Sequence, residues 1–209
     1  MLDLNPLLAG LATKRPVFHS EADFQHALAW ELHLVDPRIN VRLEYRPPWM
    51  DRRQYIDIWV IQGDTETAIE LKYKTKKMDI SIAGEQFALQ NQAAQDIGRY
   101  DFVRDIERLE RVAATRKQVV GYAIILTNDS TYWGHPRRSD SVDSDFRIQE
   151  GRTLSGLLAW GTGASEGTRR GRTDAIQLAN SYRLDWRDYS EVGNAKDMKF
   201  RYTTVQAFD

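Results

Sequence analysis

Tyr55-Ile56-Asp57-Ile58-Trp59-Val60, then Gly63-Asp64-Thr65-Glu66, then Ala68-Ile69-Glu70-Leu71-Lys72-Tyr73-Lys74 is the stretch whose reading decides the fold. Two runs rich in β-branched and aromatic residues flank a short polar segment, the pattern of antiparallel strands joined by a tight turn. Side chains alternate faces along a strand, so Glu70 and Lys72 point the same way, about 7 Å apart. Asp57 joins them in either of two registers. A turn centred on Asp64-Thr65 sets Asp57 opposite Lys72 and diagonal to Glu70, and one centred on Gly63-Asp64 sets it opposite Glu70. A loop of the other parity would turn Asp57 to the opposite face unless a bulge restored it. Ile56, Ile58 and Val60 line one side of the first strand, while Trp59 and Ile61 accompany Asp57 on the other. A strand apolar on both faces reads as central, and its aspartate as more than a surface charge.

Two acids and a lysine on an inner strand are costly without a use, because buried charges need partners. As chemistry, the set suits a hard divalent cation held by oxygen ligands with positions left open for water and phosphate. Such an ion polarises a phosphoryl oxygen and acidifies water, and a neighbouring lysine orients that water or stabilises charge developing on phosphorus. The plain alternative is a solvated Lys-Glu pair on an edge strand. Lys74, Lys76 and Lys77 follow directly and are candidate phosphate contacts, or simply solvated lysines after a strand.

Asp57 followed across a hairpin by Glu70-Leu71-Lys72 resembles the PD-(D/E)XK nuclease superfamily, and so does the order of parts: acidic helix, Asp, Glu-x-Lys, long helix, buried strand. The likeness spans roughly residues 17 to 129, and Ile56 stands where the family's proline would precede the aspartate. It implies a restriction-endonuclease-like α/β fold, a mixed sheet flanked by helices. It further implies Mg²⁺-dependent hydrolysis of phosphodiester bonds in nucleic acid, with DNA the expected substrate and Mn²⁺ able to substitute. Asp57, Glu70 and the Leu71 carbonyl would hold the metal, Lys72 would assist the attacking water, and a helix glutamate would complete the acidic cluster. Glu21 fills that last role by phase, with Glu31 the alternative. Gln95, Arg99 and Tyr100 are similar to a Gln-x-x-x-Tyr element of exonuclease-type members, with one residue more between Gln95 and Tyr100, and are candidates for supporting the site residues from behind or for contacting nucleic acid. A homodimer or a partner protein is compatible with the family. The rival reading is a nuclease-like fold that binds nucleic acid or protein without cutting.

Composition sets the bounds. The 209 residues fit one domain, read as a nuclease core over about 17–129 and a β-rich C-terminal elaboration over about 130–209. There is no cysteine, so neither a disulfide scaffold nor a thiolate metal site is available. Residues 1–12 carry Asp3 and no basic start, which argues against a signal peptide, and no apolar run approaches spanning length. A cytoplasmic protein without a membrane partner is the expectation. The net charge of −1 requires any nucleic-acid contact to come from a local patch.

Along the chain, Ser20 with Asp23 opens a helix whose apolar positions are Phe24, Ala27, Leu28, Leu32 and Val35, and Pro37 closes it. His19, His26 and His33 recur every seven residues, about 10 Å apart in rise and too far to share one ion. Asn40 to Arg46 reads as a half-buried strand, and Met78 to Gln90 as a polar connection or the start of a helix. The following helix runs to Arg116 on a stripe of Phe102, Ile106, Leu109 and Ala113. Its Arg104, Arg108 and Arg111 have Asp101, Asp105 and Glu107 at partner spacing, which reads as a solvated, self-neutralising face. Val119 to Leu126 is nearly continuous apolar sequence, so a right-handed parallel crossover back to the sheet is expected. Asn128 to Gln149 reads as a long loop, 132–138 as aromatics beside bases, 161–172 as a basic loop, and 176–186 and 199–206 as added strands.

Overall fold

A computed structural model describes residues 2–50, 54–116, 118–136, 138–195 and 197–207. The hairpin forms as the period requires. Strands β2 (Ile56–Gln62) and β3 (Thr65–Lys74) pair antiparallel from Gln62–Thr65 to Ile58–Ile69, around a two-residue turn at Gly63-Asp64. Gly63 takes φ +60°, the left-handed region that such tight turns require at their first central position. Of the two registers, the one that sets Asp57 level with Glu70 is realised.

These strands sit inside a six-stranded sheet that also contains β1 (Asn40–Tyr45), β6 (Val119–Thr127), β9 (Arg187–Glu191) and β10 (Lys199–Ala207). Its order is β1-β2-β3-β6-β10-β9. Only β3 and β6 run parallel, and helix α3 (Gln95–Thr115) makes the crossover between them. Helices α1 (Leu4–Lys14) and α2 (Glu21–Val35) pack Leu8, Phe24, Leu28 and Leu32 on one face, against Ile69, Leu71, Tyr73, Ile124 and Phe200. On the other face α3 lays Phe102, Ile106 and Leu109 over Ala68, Ala123, Ile125 and Val205. The approach is close: a Cβ at Gly121 on β6 would lie 2.8 Å from the Leu109 Cβ. The Ser20 hydroxyl caps α2 by accepting from the Asp23 amide at 3.1 Å.

The architecture departs from the sequence reading in one place and goes beyond it in two. Residues 78–90 form neither a polar connection nor a helix but a hairpin, β4 (Met78–Ile82) with β5 (Glu85–Leu89). Its Met78, Phe87 and Leu89 are buried in the first core. Ala83 and Gly84 both take positive φ (51° and 87°), the two-residue loop whose twist suits a hairpin. The added strands expected near 176–186 and 199–206 form, and the second of them, β10, hydrogen-bonds along the length of β6 and carries β9 beside it, so it completes the central sheet. Like β4–β5, strands β7 (Thr153–Leu158) and β8 (Ile176–Arg183) pair outside the central sheet, and they stack on α3. Near the N-terminus, where the sequence reading assigns no element, residues Leu4–Lys14 form α1. No helix among the described residues is long and apolar enough to cross a membrane.

Candidate active site

The sheet is interrupted at Asp57. The β2–β3 ladder ends at Ile58–Ile69, and the β1–β2 ladder passes from Leu43–Ile58 to Tyr45–Ile56, skipping Glu44, whose φ is +49°. Backbone groups left without strand partners need others, and side chains supply them. The Asp57 carboxylate accepts the Leu71 amide at 2.6 Å. Glu21, at the first turn of α2, accepts the Tyr73 amide at 2.7 Å. Gln25, one turn on, donates to the Asp57 carbonyl at 2.6 Å and to Glu44 at 2.8 Å. Parting of β2 from β3 thus lets a residue from the α2 layer reach a cluster whose other members face α3.

On the α3 side, Glu70 is 1% exposed. Its Oε2 pairs with Arg108 at 2.6 Å, while its Oε1 has no hydrogen-bond partner. Lys72 pairs with Asp105 at 2.6 Å and also donates to the Leu71 carbonyl at 3.1 Å. Arg108 bonds Asp105 as well, at 2.6 Å, so two residues a helical turn apart on α3 grip both Glu70 and Lys72. The four carboxylates of Glu21, Asp57, Glu70 and Asp105 stand against two cations, Lys72 and Arg108. Fully ionised, the cluster carries two negative charges in excess.

Titration behaviour follows. Burial pushes the Asp57 carboxyl up to about 6, against the opposing pull of the Leu71 amide and Lys72, with the neighbouring Asp105 and Glu21 adding to the rise. Glu70 is raised well above the ordinary carboxylate range, first by burial and then by Asp105, with Arg108 opposing. Burial alone would lower the Lys72 ammonium, but Asp105 and Glu21 outweigh it and hold lysine firmly protonated. Two carboxyl groups with raised affinity for protons mark a place short of positive charge.

Asp57, Glu70 and Lys72, read from the sequence as sharing a face, do come together, and Glu21 joins them. Glu31 instead pairs with Lys14 at 2.6 Å at the other end of α2. The Leu71 carbonyl accepts from the Lys72 ammonium at 3.1 Å. Lys74 is half-buried farther along β3. Lys76 is half-buried with its ammonium 3.9 Å from Asp129, and Lys77 is exposed beside Asp79. Gln95 donates to the buried Asp129 at 2.9 Å.

Two expected nucleic-acid contacts are corrected. Arg99 is 4% exposed, paired with Asp143 and bonded to the Thr131 carbonyl. Tyr100 is 1% exposed, stacked on Trp160, with its hydroxyl on the Asp174 carbonyl. Both side chains are consumed by the fold. Within the 132–138 stretch Tyr132 is buried, and Arg137 lies outside the described residues.

The residues that sequence reasoning passed over are Asp105, Arg108 and Gln25. The α3 pair was visible as an i, i+3 acid–base match but was assigned to solvent. The loop at Trp49 and Met50 and the α3 residues Arg108, Arg111, Val112 and Thr115, with Gln54, line a groove of about 250 Å³.

Among the described residues no three His, Cys, Asp or Glu side chains stand together as a ready metal-ligating group. Asp57 and Glu21 are turned onto backbone amides and Glu70 onto Arg108. The donor set nevertheless fits a hard cation: its ligating atoms are oxygens, Glu70 Oε1 is buried and unpartnered, and the excess charge equals that of one divalent ion. Comparison with family models, with curated proteins and with solved structures gave no significant match.

Proposed function

We propose that this protein is a metal-dependent nuclease of the PD-(D/E)XK kind, built on a restriction-endonuclease-like sheet and hydrolysing phosphodiester bonds, in DNA before RNA. The observation that carries the reading is the convergence of Asp57, Glu70 and Lys72 where β2 and β3 part, with Glu70 Oε1 buried and unpartnered. Asp57, Glu70 and the Leu71 carbonyl would hold Mg²⁺, or Mn²⁺ in its place. The bound ion supplies a Lewis acid for a phosphoryl oxygen and for water. Lys72, kept protonated by Asp105, stabilises negative charge developing on phosphorus and orients the attacking water. Glu21 fixes the β3 backbone through the Tyr73 amide and adds to the field that holds Lys72 charged. Lys74, Lys76 and Lys77 lead away from this point along and beyond β3 and offer contacts for flanking phosphates.

The test is Mg²⁺- or Mn²⁺-dependent cleavage of DNA and RNA by the full chain, compared with Glu70→Ala and Lys72→Ala shown by circular dichroism to be folded. Equal activity in all three proteins ends the assignment.

A second reading has its own observation. Glu70 Oε2 and Lys72 are each locked in an ion pair with α3, an arrangement that also suits a nuclease-like fold binding nucleic acid or protein without cutting. Calorimetry separates the two, since no Mg²⁺ uptake at millimolar concentration, either alone or with a DNA duplex, favours the non-catalytic module. Whether the chain works as a homodimer or with a partner protein is tested by its mass in solution and by assays with added lysate fractions.

A further inference from the structure

The Arg108 guanidinium stands at a boundary. On its inner side it holds Glu70 Oε2 and Asp105 Oδ1, each at 2.6 Å. On its outer side it lines the groove formed with Trp49, Met50, Gln54, Arg111 and Thr115. Its own Nε is buried and makes no hydrogen bond. Arg111, one turn along the same face, is 61% exposed in its side chain, and its nearest acid, Glu107, is 4.0 Å away, too far to hold it firmly. Trp49 adds a flat aromatic face to the groove, held from behind by Arg116, whose guanidinium lies over the ring at 4.6 Å and pairs with Glu66 at 3.3 Å. Two forked cations spaced one turn apart beside an aromatic ring suit a phosphodiester, because planar guanidinium recognises phosphate through paired hydrogen bonds.

A phosphate and the Glu70 carboxylate would compete for Arg108. If phosphate draws the guanidinium outward, Glu70 loses its countercharge and both of its oxygens become available to a cation. We propose that the groove beside Arg108 is a phosphodiester-binding site, and that Arg108 is an exchangeable counterion coupling phosphate binding there to divalent-cation binding at Glu70. The coupling is reciprocal, so cation binding at Glu70 also strengthens phosphate binding in the groove. This rests on the metal-site reading above and adds to it an order of assembly: the cation is held tightly only when the polynucleotide is present.

The test is Mg²⁺ titration of the full chain by calorimetry, alone and with a short DNA duplex, and with the same duplex carrying an uncharged methylphosphonate backbone. The expected result is that the phosphodiester duplex raises Mg²⁺ affinity by about 5- to 150-fold, the usual size of such coupling, and the uncharged duplex does not. Arg108→Gln is expected to bind Mg²⁺ more tightly than wild type without DNA, and to gain little when DNA is added. Wild-type Mg²⁺ binding that the duplex leaves unchanged, or a folded Arg108→Gln with unchanged or weaker Mg²⁺ affinity, overturns the coupling while leaving the metal site standing. No Mg²⁺ uptake by wild type under any of these conditions removes the metal reading and the coupling together. Should Arg108→Gln fail to fold, Arg111→Gln serves instead: it is expected to weaken duplex binding and to shrink the duplex-induced gain in Mg²⁺ affinity, and retention of both at wild-type size overturns the groove assignment.

Discussion

Two buried glutamates, Glu70 on β3 facing α3 and Glu110 on α3 facing β8, are treated differently by the fold. Glu110 is 6% exposed, and its oxygens accept the Ala179 and Asn180 amides at 2.9 Å each and the Tyr182 hydroxyl at 2.7 Å. It ties the β7–β8 pair to α3, and both of its oxygens are used. Glu70 is more deeply buried, yet one of its oxygens has no donor and its only strong partner is an arginine that also serves Asp105. The difference teaches how to tell scaffold from site. A carboxylate wrapped in hydrogen bonds repays its own desolvation, whereas one left half-satisfied among like charges is where the nuclease reading proposes a cation.

The comparison breaks most visibly if activity follows Glu110 instead of Glu70. Under the nuclease reading, Glu70→Ala and Lys72→Ala reduce cleavage by roughly 10²–10³-fold or more with little loss of fold. Glu110→Ala strands several buried donors and is expected to lower unfolding free energy by about 3 kcal/mol or more, with residual activity tracking the folded fraction in denaturant titrations.

The electrostatic side of the comparison is sharpened by pH. Because folding raises the Asp57 carboxyl from 3.8 to about 6, the metal-free protein enjoys the full benefit of a neutral Asp57 below about pH 4. That benefit fades as pH climbs through 6. Asp57→Asn should therefore abolish this part of the pH dependence and stabilise the metal-free fold at pH 7 by up to about 3 kcal/mol. Melting curves from pH 4 to 8 in chelator check both statements, and a mutant no more stable than wild type at pH 7 contradicts them. Under the nuclease reading added Mg²⁺ acts in the opposite sense, since it would bind the ionised cluster. Its stabilisation should grow above pH 6 and reach about 2.7 kcal/mol at a hundred times Kd.

The smallest expected effect concerns the helix glutamates. Glu31→Gln removes a pair whose lysine is 56% exposed and should change stability by less than about 1 kcal/mol and leave cleavage intact. Glu21→Gln should reduce cleavage measurably, because Glu21 touches the β3 backbone beside Lys72. Reversal of that order would return the role to Glu31.

Much of the site was legible because strand geometry is strict. With a two-residue turn the parity of Asp57, Glu70 and Lys72 follows from counting, and the phase of α2 from Phe24, Leu28 and Leu32 sends Glu21 and not Glu31 towards the sheet. Arg108 and Asp105 were illegible for the converse reason. An i, i+3 acid–base pair looks the same whether its face meets water or a buried carboxylate, and only the crossing of α3 over β3 and β6 decides which. Arg99 and Tyr100 misled likewise, since their polar ends find partners in Asp143 and the Asp174 carbonyl, far away in sequence.

The amino-acid order alone thus determined the local quantities: which residues extend, which coil, and which side chains share a face, because these follow from backbone periods of two and 3.6 residues. Tertiary structure alone decided that β10 completes the central sheet, that β2 and β3 part at Asp57, and that α3 lends two charges to the gap. Those outcomes depend on long-range packing and on where unpaired backbone groups find donors and acceptors. No local pattern in the chain encodes either.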